Sequence, residues 1–213
     1  MQLAEAVSTR RSIGRLREPA PSDEEVLRIL ELAALAPDHG RLSPWRVVAL
    51  RGDARRALGE RFAAATSPTA TPAAPAPTAS ASATASSPTP TSTASASATA
   101  SDRAAAKPLR APLLLRLVLT PVPGHKVPEW EQLAAAVCAV HTVILLMHER
   151  GWGCMWRTGA LLDDPGVRSL LGLRAEEKLL GWLYVGTPAD EAGTTMPPRP
   201  SRDLDAKYVS LSS

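Results

Sequence analysis

Arg10-Arg11-Ser12, with Arg15 one turn later, sets several guanidinium forks and a hydroxyl at the end of a short amphipathic helix predicted within Met1 to Arg15. Such planar forks match a phosphate monoester; a solvated basic helix end facing the helix dipole is the other reading of the same residues. Pro37-Asp38-His39-Gly40 makes a tight turn after a helix, where His39 can reach a ligand or satisfy the turn's own backbone groups. The third candidate is Gly151-Trp152-Gly153-Cys154-Met155-Trp156-Arg157-Thr158-Gly159, a strand bracketed by glycines that ends in an aromatic ring, a guanidinium and a hydroxyl. Glycine lets a backbone approach a flat ligand closely, and a buried strand with bulges has the same spacing. No Ser/His/Asp triad, phosphate loop or GxGxxG turn is visible, so hydrolase and Rossmann readings lack support. Cys138 and Cys154 form no CxxC and have no His/Cys cluster at ligand spacing; both are expected to be small buried apolar residues.

These candidates need elements to hold them. Ser22 and Glu25 make a capping box that opens a helix with Val26, Ile29, Leu30 and Ala33 on one face, closed by Pro37. Trp45 to Arg51 reads as a strand, and Asp53 as the cap of a helix with Leu58 and Phe62 on one face. From Thr66 to Ser101 every residue is Ala, Ser, Thr or Pro, a composition with no large apolar group to offset ordering entropy, so a disordered surface insertion is expected. Leu113 to Thr120 is a β-type run, and a loop then leads to a long helix over Gln132 to Glu149. That helix is apolar nearly all round, and in a chain this small a partner subunit is the easiest cover for its outer side. A strand around Met155, a helix introduced by Asp164 and Pro165 and ended by Gly172, and a strand from Leu179 to Val185 complete the order, before an extended C-terminus. Strands alternating with helices indicate an α+β or α/β sheet wrapped by helices.

With 213 residues, 45% of them hydrophobic, the chain makes one ordinary domain even without the tract. A net charge of +3, with Lys and Arg scattered among Asp and Glu, does not suggest nucleic acid binding. The first residues lack the apolar stretch of a secretory signal, and Leu133 to Met147 falls short of the roughly 18 residues of a membrane span, so a cytoplasmic location without membrane contact is expected.

Arg10-Arg11-Ser12, Glu18-Pro19-Ala20-Pro21, Ala36-Pro37-Asp38-His39, Ser43-Pro44-Trp45, His125 to Gln132, Trp156-Arg157-Thr158-Gly159-Ala160 and Gly181 to Pro188 together resemble, in that order, the small YdjA-type branch of the FMN-dependent nitroreductase family. The resemblance covers almost everything but the tract. It implies a single α+β domain over 1–213, with 66–101 as the insertion, and a central, mainly antiparallel sheet wrapped by helices. It also implies an intertwined homodimer with two FMN sites, each borrowing residues from both chains. Position by position, the implied flavin contacts are Arg10, Arg11, Ser12, Leu35, His39, Trp156, Arg157 and Thr158. A nicotinamide nucleotide contact falls on Leu146, Met147, His148, Glu149, Arg150 and Gly151, residue types that by themselves argue for packing. The implied reaction passes electrons from NAD(P)H through FMN to a nitroaromatic or quinone-like acceptor in a ping-pong cycle, with no catalytic side chain. Dehalogenation, flavin breakdown or vestigial redox activity on the same fold are the alternatives. The chain departs from the family where a second basic residue usually follows the Arg-Arg-Ser-Ile run: Gly14 stands there, leaving Arg15, Arg157 or a backbone donor to stabilise the reduced flavin.

Overall fold

A computed structural model describes residues 1–66, 98–189 and 207–210. Its centre is β3 (Leu113–Leu119), seven residues buried on both faces, which explains a strand that is apolar along almost its whole length rather than at alternate positions. β3 pairs antiparallel with β2 (Trp45–Leu50) and β5 (Lys178–Pro188). β5 also pairs antiparallel with β4 (Gly153–Arg157) and β1 (Leu16–Arg17), giving a five-stranded sheet in which every described pairing is antiparallel. The expected α+β architecture is therefore what the chain adopts.

Because side chains alternate along a strand, the sheet has two packed faces. Leu113, Leu115, Leu117, Leu183 and Val185 meet Val26, Ile29 and Ala33 of α2 (Asp23–Ala33) and Val140, Val143, Ile144 and Met147 of α5 (Glu129–Glu149). Leu114, Val118, Trp182 and Tyr184 meet Leu58 and Phe62 of α3 (Gly52–Thr66), Ala104 of α4 (Ala100–Ala105) and Val167 of α6 (Pro165–Leu170). Arg116 shares this second face, fully buried and paired across strands with Trp182. A short helix, α1 (Leu3–Thr9), packs near the end of α5.

Several local expectations shift. The Ser22 hydroxyl accepts from the Glu25 amide, but the Glu25 carboxylate accepts from the Trp152 indole at 2.7 Å instead of closing the box. α3 begins at Gly52, with Asp53 inside its first turn rather than capping it. α5 starts three residues early, at Glu129 after Pro128. Gln132, buried in its first turn, bonds both backbone groups of Val122 and the Val127 carbonyl, and so anchors the preceding loop. At 21 residues α5 is long and apolar enough to cross a membrane by length and composition, yet one side of it belongs to the core. Cys138 is exposed on the other side, unlike Cys154, whose thiol burial pushes up to about 11. The ends of the Ala/Ser/Thr/Pro tract are helical: Thr66 closes α3, and Thr99 caps α4 by accepting from the Asp102 amide. α3 and α4 pack so closely that a Cβ on Gly59 would collide with the Ala105 carbonyl. Residues 67–97 and the stretch 190–206 expected to be extended lie outside the described residues.

Candidate functional site

The end of α1 is stitched to β4 and to the end of α5. The Ile13 amide donates to the Cys154 carbonyl at 3.0 Å. Thr9 Oγ1 donates to the Glu5 carbonyl and lies 2.8 Å from His148 Nε2, which leaves the imidazole as donor in that contact. Burial, and then the charges of Arg10 and Arg11, hold His148 below its ordinary pKa and favour the neutral ring. Arg11 turns its guanidinium onto the Ser8, Thr9 and Arg10 carbonyls at 2.8 to 3.1 Å, so it caps its own helix. Ser12 is exposed beside it. A Cβ on Gly14 would lie 3.6 Å from Arg157 Nη2, so Gly14, two residues after Ser12, stands beside the end of β4.

Arg157 and Thr158 open onto a cavity of about 540 Å³ whose wall also includes Phe62, Lys107, Arg110, Trp182 and Tyr184. Among the described residues, three cations and no carboxylate line it. The Arg157 guanidinium sits 5.5 Å over the Tyr184 ring, and burial raises the Tyr184 phenol against the opposing charges of Arg157 and Arg110. Trp182 and Tyr184 are each 5% exposed. Neither the indole N–H nor the phenol O–H has a hydrogen-bond partner among the described residues, and neither is sealed from the cavity. Three cations beside two aromatic rings in one wall suit an anionic, flat ligand. Flavin mononucleotide, a ring system with a phosphate tail, fits that donor set.

Trp156 is placed differently. Strand alternation turns its side chain to the opposite face, where its indole donates to the Leu180 carbonyl at 3.2 Å and packs over Gly181 (φ +142), where a Cβ would collide with the ring. Leu35 and His39 lie elsewhere again. Leu35 is 80% exposed beyond α2, and His39 Nδ1 pairs with Glu131 Oε2 at 2.6 Å on the first turn of α5. The loop after His39 runs through positive φ at Gly40, Arg41 and Ser43, held by the Asp38 carboxylate accepting from the Ser43 amide. Glu131 and His148 stand about 25 Å apart along α5 at a rise of about 1.5 Å per residue, so one chain keeps the two groups of candidate residues far apart. The stretch from Leu146 to Gly151 ends α5. The Leu146, Met147 and His148 carbonyls accept from the Arg150, Trp152 and Gly151 amides, Met147 is fully buried, and Gly151 (φ +80) takes the left-handed conformation that stops the helix.

Lys107, Arg110, Trp182 and Tyr184 are absent from the sequence-derived site. A period-two reading of the last strand puts Trp182 and Tyr184 on one face; nothing local connects that face to Lys107 or Arg157.

A model of the nitroreductase family matches residues 7–187. "Putative NAD(P)H nitroreductase YdjA" of Escherichia coli (strain K12) is 35% identical over 196 residues, covering 92% of this chain and 93% of its own length. Among solved structures, a nitroreductase-like family protein from Bacillus cereus aligns at TM-score 0.73 with 19% identity, over 100% of this chain and 97% of its own. The FMN and NADPH-dependent nitroreductase NfnB, from sphigopyxis sp. strain HMH, aligns at TM-score 0.66 with 22% identity, over 100% of both chains. Matched over most of its length by the family model and by a relative 35% identical to it, the chain belongs to the nitroreductase family.

Proposed function

We propose that this protein is an FMN-dependent oxidoreductase that carries electrons from NAD(P)H to a small acceptor, nitroaromatic or quinone-like, in a ping-pong cycle as a homodimer. The observation that carries this reading is the cationic, aromatic cavity at the end of β4, whose Arg157 stands beside Gly14. Arg10 and Ser12 would hold the phosphate, with Arg157 and Thr158 along the ribityl chain and ring edge. Bound there, the flavin supplies a hydride acceptor and donor that no side chain can provide. The chain's own residues bind, orient and set the field: Lys107, Arg110 and Arg157 offset negative charge that develops on the reduced ring. Gly14 stands beside Arg157, which would take the part of the missing basic residue at that position. A dinucleotide contact at the end of α5 falls on the exposed Glu149, Arg150 and Gly151, since Met147 is in the core.

A dimer fits the same geometry. Leu35 and His39 join the flavin contacts only if a second chain brings them across. The outward side of α5, with Trp130, Leu133 and Val137 exposed, offers the surface for that association. YdjA's name as an NAD(P)H nitroreductase and NfnB's description as FMN- and NADPH-dependent support the chemistry.

The test is the visible spectrum of protein purified with added FMN and passed through gel filtration, before and after anaerobic NADPH. Flavin bands that co-elute with a dimer and bleach on NADPH are expected. A colourless protein that retains no FMN would end the cofactor assignment.

A further inference from the structure

Arg116 is a charged side chain in the wrong place for stability. It is 0% exposed, and none of its three guanidinium nitrogens has a hydrogen-bond partner among the described residues. Its guanidinium lies 5.2 Å from the centre of the Trp182 ring. The nearby Arg46 is already paired with Glu177 at 2.8 Å through both Nε and Nη2, so that carboxylate neutralises Arg46. Burial lowers the Arg116 pKa to about 9, with the Arg46 charge adding to the effect, which still leaves it charged at neutral pH. An interior cation without hydrogen bonds costs free energy, and an apolar side chain of similar length is commonly as stable or more so. The ring contact returns only part of that cost.

What the charge does reach is the cavity. Trp182 both carries the Arg116 guanidinium and forms part of the cavity wall, whereas Arg116 is not itself in that wall. The ring therefore links an unneutralised cation in a low-dielectric interior to the space where the ligand sits. Coulombic interaction in such surroundings is stronger than in water and is screened much less by salt.

We propose that Arg116 is a positioning residue of the electron-transfer site, an interior cation behind Trp182 that favours the reduced, anionic form of the bound flavin over the oxidised form. This rests on the flavin reading of the cavity. Its effect is electrostatic, adding to the contacts from Lys107, Arg110 and Arg157 without touching the ligand.

The measurement is the midpoint potential of the FMN-loaded protein, equilibrated with a reference dye, together with FMN affinity and thermal midpoint, for wild type, Arg116→Met, Arg116→Gln and Arg116→Lys. Both neutral variants are expected to keep oxidised FMN, and Arg116→Met to melt no lower than wild type. Their midpoint potential is expected to fall, equivalent to a loss of roughly tenfold in affinity for reduced relative to oxidised flavin, as for one charge about 10 Å away at an effective dielectric of about 20. Arg116→Lys is expected to restore most of the shift. FMN bound at an unchanged potential in the neutral variants would overturn the role of Arg116 and leave the flavin reading intact. Neutral variants that both fail to fold would show that the charge serves the fold, and would overturn it as well. A wild-type protein that binds no FMN would remove the flavin reading and this inference with it.

Discussion

Arg10 and Arg11 are adjacent in the chain, and the charges of both are felt at His148. Arg11 also donates to three carbonyls at the end of α1, and the charge of Arg10 is also felt at the buried Cys154 of β4. Arg157, from the far end of the chain, lies over Tyr184 in the cavity. Arg10→Ala and Arg157→Ala should each weaken FMN binding about tenfold to a hundredfold, the size of a lost charge-assisted hydrogen bond. Arg11→Ala should instead lower stability by about 1 kcal/mol with little change in FMN affinity. Flavin fluorescence titration beside thermal melts separates the two outcomes, and equal losses of affinity in all three variants would refute the distinction. Residue types and order singled out Arg10, Arg11 and Arg157 in the sequence. That Arg11 caps its own helix was not legible there, because a guanidinium's partner depends on where the helix ends.

At the scale of elements, Glu177 fastens the turn before β5 to β2. Its carboxylate accepts from Arg46 Nε and Nη2 and from the Arg174 amide, and Arg168 donates to its carbonyl. The hydrogen bonds from Arg46, outweighing burial, hold the carboxyl down at about 2. A folded pKa below the ordinary carboxylate value means that the stabilisation is present above that value and is lost as pH falls towards 2. Glu177 should thus account for roughly 2 to 3 kcal/mol of the stability lost between about pH 5 and pH 2. Glu177→Gln should be less stable at neutral pH and show a flatter acid limb in denaturant titrations; an unchanged acid limb would count against the assignment. Caps and breakers announced the elements well: Ser22, Asp164 and Gly172 act where the sequence places them. Glu25 does not close its box because Trp152, distant in sequence, takes its carboxylate, and no local pattern reports a contact of that range.

At the scale of the whole molecule, the separation of the two candidate groups along α5 makes subunit association and flavin binding one event in the proposed function. Val137→Glu places a charge on the exposed side of α5 and should give a folded monomer that retains little FMN, read by sedimentation velocity and flavin content. A dimer with full flavin would show that the subunits meet elsewhere. The sequence by itself determined the order of the elements other than β1 and α4, the apolar run of β3, and the motif residues that place the chain in its family, because periodicity, capping and motif order are local properties. Tertiary structure alone decided that Lys107 and Arg110, before β3, share a cavity with Arg157 from β4 and with Trp182 and Tyr184 from β5. It also turned Trp156 away from that cavity and buried Arg116 behind Trp182. Strand register sets these relations, and register depends on pairing between distant segments rather than on the residues of any one of them.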